Sequence, residues 1–175
     1  DGIKHESIAS FNKDIYKLTI TVNGLSKSHS MTGWRIGYLG APADLTNAIS
    51  NLQDHSTSNP NSIAQYAATA ALSASDDFTH KLCREFEMRR DYLAKRLGNI
   101  PVLSFRLPGG AFYLFCDISK TKLDSMSFAT RLLDEQYVCV IPGKSFGADD
   151  FIRISFATSL EELQIGMDRI EKFIG

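Results

Sequence analysis

The chain has 175 residues, 43% hydrophobic and 22% charged, a composition typical of globular proteins and enough for one domain, or a small domain plus part of another. Nineteen basic residues against 20 acidic ones leave a net charge of −1, which supplies no basic field for nucleic acid or an anionic membrane. The three cysteines show no CxxC spacing and the four histidines no HxxxH pair, so neither a metal site nor a disulfide framework is expected. Reduced thiols suit the cytoplasm. No run of 18 apolar residues is present, so no membrane span is expected.

Residues 18–22 (LTITV) alternate and predict a strand. A polar loop follows over 23–30, then a second short strand over 34–39. Pro42 is placed to open a helix at its first position, with Leu45, Ala48, Ile49 and Leu52 on one face. Asn59-Pro60-Asn61 interrupts that pattern. The next helix carries Ile63, Ala67, Ala70, Ala71 and Ala74 on one side. Residues 73–77 form a candidate domain boundary. A charged helix over 76–98 follows, with Leu82, Phe86, Leu93 and Leu97 facing inward and Glu85 able to pair with Arg89. Strands are expected at 102–107 and 111–117, joined by Pro108-Gly109-Gly110. A helix at 126–136 leads to strands at 137–141 and 151–156. The last helix opens on a capping box, Ser159 to Glu162, and runs through Leu160, Leu163, Met167, Ile170 and Ile174. Cys116, in the apolar run FYLFC, is assigned to the core. Residues 1–75 read as part of a β/α layer and 76–175 as a compact α/β sandwich.

The segment after the first strand carries the chemistry. Lys27 lies among Ser26, Ser28 and Ser30, with Arg35 eight residues on. A lysine amine can form a Schiff base with an aldehyde once it is deprotonated, and its ordinary pKa near 10.4 must fall for that. A phosphate needs hydroxyl donors and a guanidinium, which can bind it bidentately. Residue types alone also describe an ordinary solvated loop, since lysine is mostly a surface residue. A second candidate is Arg153, in FIRIS. Alternation sets Ile152, Ile154 and Phe156 on one face and Arg153 with Phe151 and Ser155 on the other. By pattern alone, Arg153 also fits an exposed position on an edge strand. Trp34 and Tyr38 read as packing residues.

Residues 24–37, GLSKSHSMTGWRIG, resemble the cofactor-attachment motif of class I aminotransferases, fold-type I pyridoxal-phosphate enzymes. Lys27, Met31 and Arg35 match it, and SK…MTGWRIGY resembles the bacterial-type aspartate aminotransferase branch. STSNP at 57–61, SIAQ at 62–65, PGGAFYLF at 108–115, and PGKSFG with FIRISFATS over 142–159 agree in order, so the resemblance spans essentially the whole chain. It implies the C-terminal part of such an enzyme, with 1–75 a C-terminal piece of the large cofactor-binding domain and 76–175 the small domain.

The resemblance assigns Lys27 as the covalent attachment point for pyridoxal phosphate and as the group moving a proton between the substrate α-carbon and C4′ of the cofactor. It assigns Ser26 and Arg35 to the phosphate and Arg153 to the substrate α-carboxylate. Amino-acid and 2-oxo-acid substrates and a homodimer, with active sites at its interface, are implied. So is an N-terminal part supplying a ring-stacking aromatic, an Asn and a Tyr for O3′, and an Asp for the ring nitrogen; none is identified here. The arginine that some relatives place before the SNP segment for a dicarboxylate is absent from Leu52-Gln53-Asp54-His55-Ser56. Aspartate as donor therefore rests on resemblance. A noncatalytic fragment folded around 76–175 is the alternative. Another fold-type I enzyme, such as an acyltransferase or lyase, is disfavoured by MTGWRIG.

Overall fold

The computed structural model describes all of residues 1–175. The chain divides into two compact units, Gly2–Lys81 and Leu82–Gly175, with Asp1 belonging to the second. Each is described separately.

The N-terminal unit begins with a 3-10 turn, Ile8–Ser10, and a short helix α1, Lys13–Lys17. The Asn12 side chain caps α1 by accepting from the amides of Asp14 and Ile15. At its far end, the Leu18 and Thr19 amides donate to the carbonyls of Ile15 and Tyr16. Those amides are spent on the helix end, so the strand expected from residue 18 starts later, as β1, Thr21–Gly24. The expected polar loop contains a single helical turn, α2, Leu25–Ser28. A 3-10 turn, Thr32–Trp34, and a left-handed Arg35 follow, which delays the second strand to β2, Gly37–Gly40. β1 and β2 pair antiparallel from Thr21↔Gly40 to Gly24↔Gly37. A Cβ on Gly37 would lie 2.9 Å from the Asn23 carbonyl oxygen, so only glycine permits this approach.

Helix α3, Ala43–Ser56, starts after Pro42, which is its N-cap rather than its first helical residue. None of its residues is buried, and Leu45 and Leu52 are exposed. Helix α4, Ser62–Ser73, is capped by Asn61. Its buried stripe is Ala64 and Ala68, with Ala67 and Ala71 beside them, while Ile63 is 68% exposed. The inward face is therefore rotated from the one expected. Alanines at 64, 67, 68 and 71 follow the same helical spacing, and they pack where Leu25, Met31 and Ile36 are presented.

The long helix α5, Asp77–Leu97, matches its expected span and carries the Arg89–Glu85 pair at 3.1 Å. In the C-terminal unit come β3 (Ser104–Phe105), β4 (Tyr113–Asp117), α6 (Ser125–Gln136), β5 (Ile141–Pro142), β6 (Phe151–Ser155) and α7 (Leu160–Ile174). The strands form an antiparallel sheet in the order β3-β4-β6-β5. They are shorter than expected. Tyr137 illustrates why: it adopts φ 57° and closes α6 by donating to the Leu133 carbonyl, so it cannot begin a strand. β6 pairs with both β4 and β5, so Arg153 is on an interior strand and not at an edge.

Leu114 and Cys116 of β4 and Ile152 and Ile154 of β6 join one core with Leu93 and Leu97 of α5, Phe128 and Leu132 of α6, and Leu163, Met167 and Ile170 of α7. The unit is thus a two-layer α/β arrangement. Full burial of side chains such as Phe128 and Leu132 contributes roughly 1.5–3 kcal/mol each as an upper figure. Ser159 caps α7, its hydroxyl accepting from the Glu162 amide. The opposite face of the sheet carries Tyr113, Phe115, Phe151 and Arg153.

Candidate functional site

Ser26, Lys27 and Arg35 all lie on the connection between β1 and β2. Its geometry follows from three apolar anchors. Leu25 is fully buried, and Met31 and Ile36 are nearly so. The Leu25 carbonyl accepts from the amides of both His29 and Met31, and the Ser30 amide donates to the Lys27 carbonyl. These bonds curl the segment tightly. Anchoring at 25, 31 and 36 turns Lys27 and Arg35 outward, and Ser26 is half-buried.

Arg35 sits in the left-handed region at φ 51°, ψ 48°, an uncommon conformation for a non-glycine residue. Its Nη1 donates to the Thr32 carbonyl at 2.9 Å, which folds the guanidinium back over the 3-10 turn and leaves its other donors available. Beside it is an open depression of about 500 Å³ lined by Ser30, Gly33, Trp34, Arg35, Asn61 and Ala64. Trp34 and Tyr38, read from sequence as packing residues, are each 46% exposed. Trp34 is a wall of this depression instead.

A phosphorylated aldehyde requires a primary amine, hydroxyl donors and a guanidinium. One anchored loop presents all three types in Lys27, Ser26 and Arg35, so the donor set fits such a group.

Arg153 belongs to the other unit. It is half-buried on the outer face of the sheet, opposite Phe115 on β4 and Ile141 on β5. Its Cζ lies 4.2 Å from the Tyr113 ring centroid and 5.0 Å from that of Phe146. Phe115 stacks on Phe151 at 4.8 Å and meets Phe146 edge-on at 6.1 Å. No carboxylate pairs with Arg153, and the ring contacts occupy none of its five N–H donors. An arginine so placed can take a carboxylate through its edge. Tyr113 and Phe146 were not singled out from sequence. Their segments, PGGAFYLF and PGKSFG, were visible, but the pairing of β4 with β6 that sets Tyr113 beside Arg153 was not.

Cys116 is fully buried, and burial pushes its thiol up from 9.0 to about 12. It is a core residue, as its apolar run implied. No helix is long and apolar enough to cross a membrane, and no cluster of three metal-ligating side chains exists.

Comparison with known proteins shows the family. Residues 2–170 match the family model for aminotransferase class I and II. The chain is 45% identical to an aspartate aminotransferase from Bacillus sp. (strain YM-2), over 99% of this chain and 46% of that protein. It is 42% identical to the aspartate aminotransferase of Bacillus subtilis (strain 168), over 99% and 45%. The chain spans about half the length of these relatives. The crystal structure of the Rhizobium meliloti aspartate aminotransferase superposes with a TM-score of 0.90 at 38% identity, covering 97% of this chain and 45% of that one. An aromatic aminotransferase from Pyrococcus horikoshii gives 0.91 at 37%, covering 99% and 47%. The fold is therefore that of a fold-type I aminotransferase, of which this α/β chain represents part, and the chain belongs to the class I and II aminotransferase family.

Proposed function

We propose that the complete protein is a pyridoxal-phosphate-dependent aminotransferase that moves an amino group between an amino acid, with aspartate favoured, and a 2-oxo acid. The observation that carries this is the anchored loop presenting Ser26, Lys27 and Arg35. Residues 1–75 are assigned to the large cofactor-binding domain and 76–175 to the small domain. The working form is a cytoplasmic homodimer.

The cofactor, when bound, supplies an electron sink for the substrate carbanion. The remaining work falls to this chain's side chains. Lys27 Nζ would be the attachment point and would also be the acid–base group that carries a proton between the substrate α-carbon and C4′. Arg35 and the Ser26 hydroxyl hold the phosphate, which fixes the reacting atoms relative to Lys27. Arg153 receives the α-carboxylate through paired N–H donors. For the side chain of aspartate the α3 stretch from Leu52 to Ser56 offers no arginine, so donor choice rests on likeness to the aspartate aminotransferases.

The test is cofactor titration of this chain, followed by borohydride reduction and peptide mapping. A near-visible absorption band that Lys27→Ala abolishes, with the reduced adduct on Lys27, supports the reading. No band at millimolar cofactor favours a second one, a stable noncatalytic piece. The second reading draws on the complete core of the C-terminal unit and on the exposure of Lys27.

A further inference from the structure

We propose that Tyr113 and Phe146 are positioning residues for Arg153: their rings hold the guanidinium while leaving its donor edge open to a substrate carboxylate. This rests on the proposed role of Arg153 and extends it. A flexible arginine loses rotamer freedom when it binds a carboxylate, and that loss weakens binding. Preorganising the side chain removes part of the loss. An acidic neighbour could also hold Arg153, but it would occupy the donors the substrate needs and compete with it. Aromatic rings attract the cation through their π-faces and accept no strong hydrogen bond. The observed surroundings are of that kind, with two rings within 5.0 Å and no acidic partner.

Both rings are themselves held. Tyr113 lies on β4, diagonal to Arg153 across the β4–β6 pairing, and its ring sits 4.3 Å from that of Phe112. Phe146 lies in the 3-10 turn Gly143–Phe146, and the segment around it is tied down at several points. The buried Ser125 hydroxyl donates to Asp149 at 2.6 Å and accepts from the Lys144 amide at 3.1 Å. The Ala148 amide donates to the Gly143 carbonyl. A Cβ on Gly143 would collide with the carbonyl oxygens of Ala148 and Phe151, so the tight return of the chain requires glycine there. Phe146 is 52% exposed and is not part of the core cluster, and its ring contacts Arg153 and Phe115.

The experiment is steady-state kinetics on the complete, cofactor-loaded protein, with maleate as a competing unreactive carboxylate. Tyr113→Leu and Phe146→Leu are each expected to weaken maleate inhibition and raise the amino-donor KM about tenfold, and to do so more than they lower kcat. Tyr113→Phe, which keeps the ring, is expected to stay within about twofold of wild type, whereas a role carried by the hydroxyl would be lost in this variant. Phe146→Leu, half-exposed, keeps the test valid should Tyr113→Leu fail to fold. If Arg153→Leu abolishes maleate inhibition while Phe146→Leu and a folded Tyr113→Leu leave it unchanged, the positioning role is overturned and the role of Arg153 stands. If Arg153→Leu itself leaves maleate inhibition unchanged, the assignment of Arg153 falls, and this inference with it.

Discussion

The two units of this chain bury their apolar residues very differently. The C-terminal unit gathers seventeen buried residues into one core between a sheet and three helices. The N-terminal unit buries five. It also exposes fifteen large hydrophobic side chains, among them Leu18, Leu52, Ile63 and Tyr66, where the C-terminal unit exposes eight. The contrast has a physical origin in α3 and the β1–β2 ribbon. A two-stranded ribbon is marginal without a surface to pack on, and α3 buries none of its residues. The unit with the complete core carries Arg153, proposed to receive a carboxylate, on the interior strand of its sheet. The unit with the sparse core carries the lysine loop, which is anchored by Leu25, Met31 and Ile36 against Ala64 and Ala68 and curled by its own backbone hydrogen bonds.

Core truncation tests this contrast most severely. Phe128→Ala is expected to destabilise the C-terminal unit by about 3–5 kcal/mol, since a fully buried ring leaves a cavity that close-packed neighbours cannot refill. Leu25→Ala is expected to cost less, about 2 kcal/mol, because five residues beside open surface can collapse inward. Urea unfolding distinguishes the two, with the fluorescence of the single tryptophan, Trp34, reporting on the N-terminal unit and far-ultraviolet circular dichroism on the whole chain. Equal losses would break the comparison.

A smaller effect, confined to alkaline solution, comes from Cys116. Its folded pKa is raised by burial from 9.0 to about 12, so the native state retains a proton that the unfolded state releases between those values. The contribution is complete below pH 9 and is lost as the pH rises toward 12. Cys116→Val removes this part of the alkaline decline, measured as the difference between the two proteins' stability–pH curves. Native thiol titration sharpens the point: Cys83 and Cys139 are exposed and react, whereas Cys116 reacts only on unfolding. The smallest effect is at α7, where Ser159→Ala removes the N-cap and is expected to cost about 1 kcal/mol in a urea melt.

The helices of the C-terminal unit were the most legible part of the chain. Leu163, Met167 and Ile170 recur at helical spacing behind a capping serine, and each is buried as that spacing requires. Strand limits were less legible, because a helix end or a left-handed residue can claim the amides that periodicity assigns to a ladder. Leu18 and Tyr137 both did so. The inward face of α4 was not legible for a related reason: in an alanine-rich helix several stripes share the same spacing, and only the partner surface selects one.

Local sequence determined what local forces decide: the cap at Ser159, the alternation that turns Arg153 away from the core, and the chemical types gathered on the Lys27 loop. The family was legible there too, because a motif concentrates many specified positions in a short span. Tertiary structure alone decided that β6 is an interior strand, that Tyr113 and Phe146 meet over Arg153, and that α3 lies bare. Each of these depends on contacts between residues far apart in the chain, which neither periodicity nor propensity encodes.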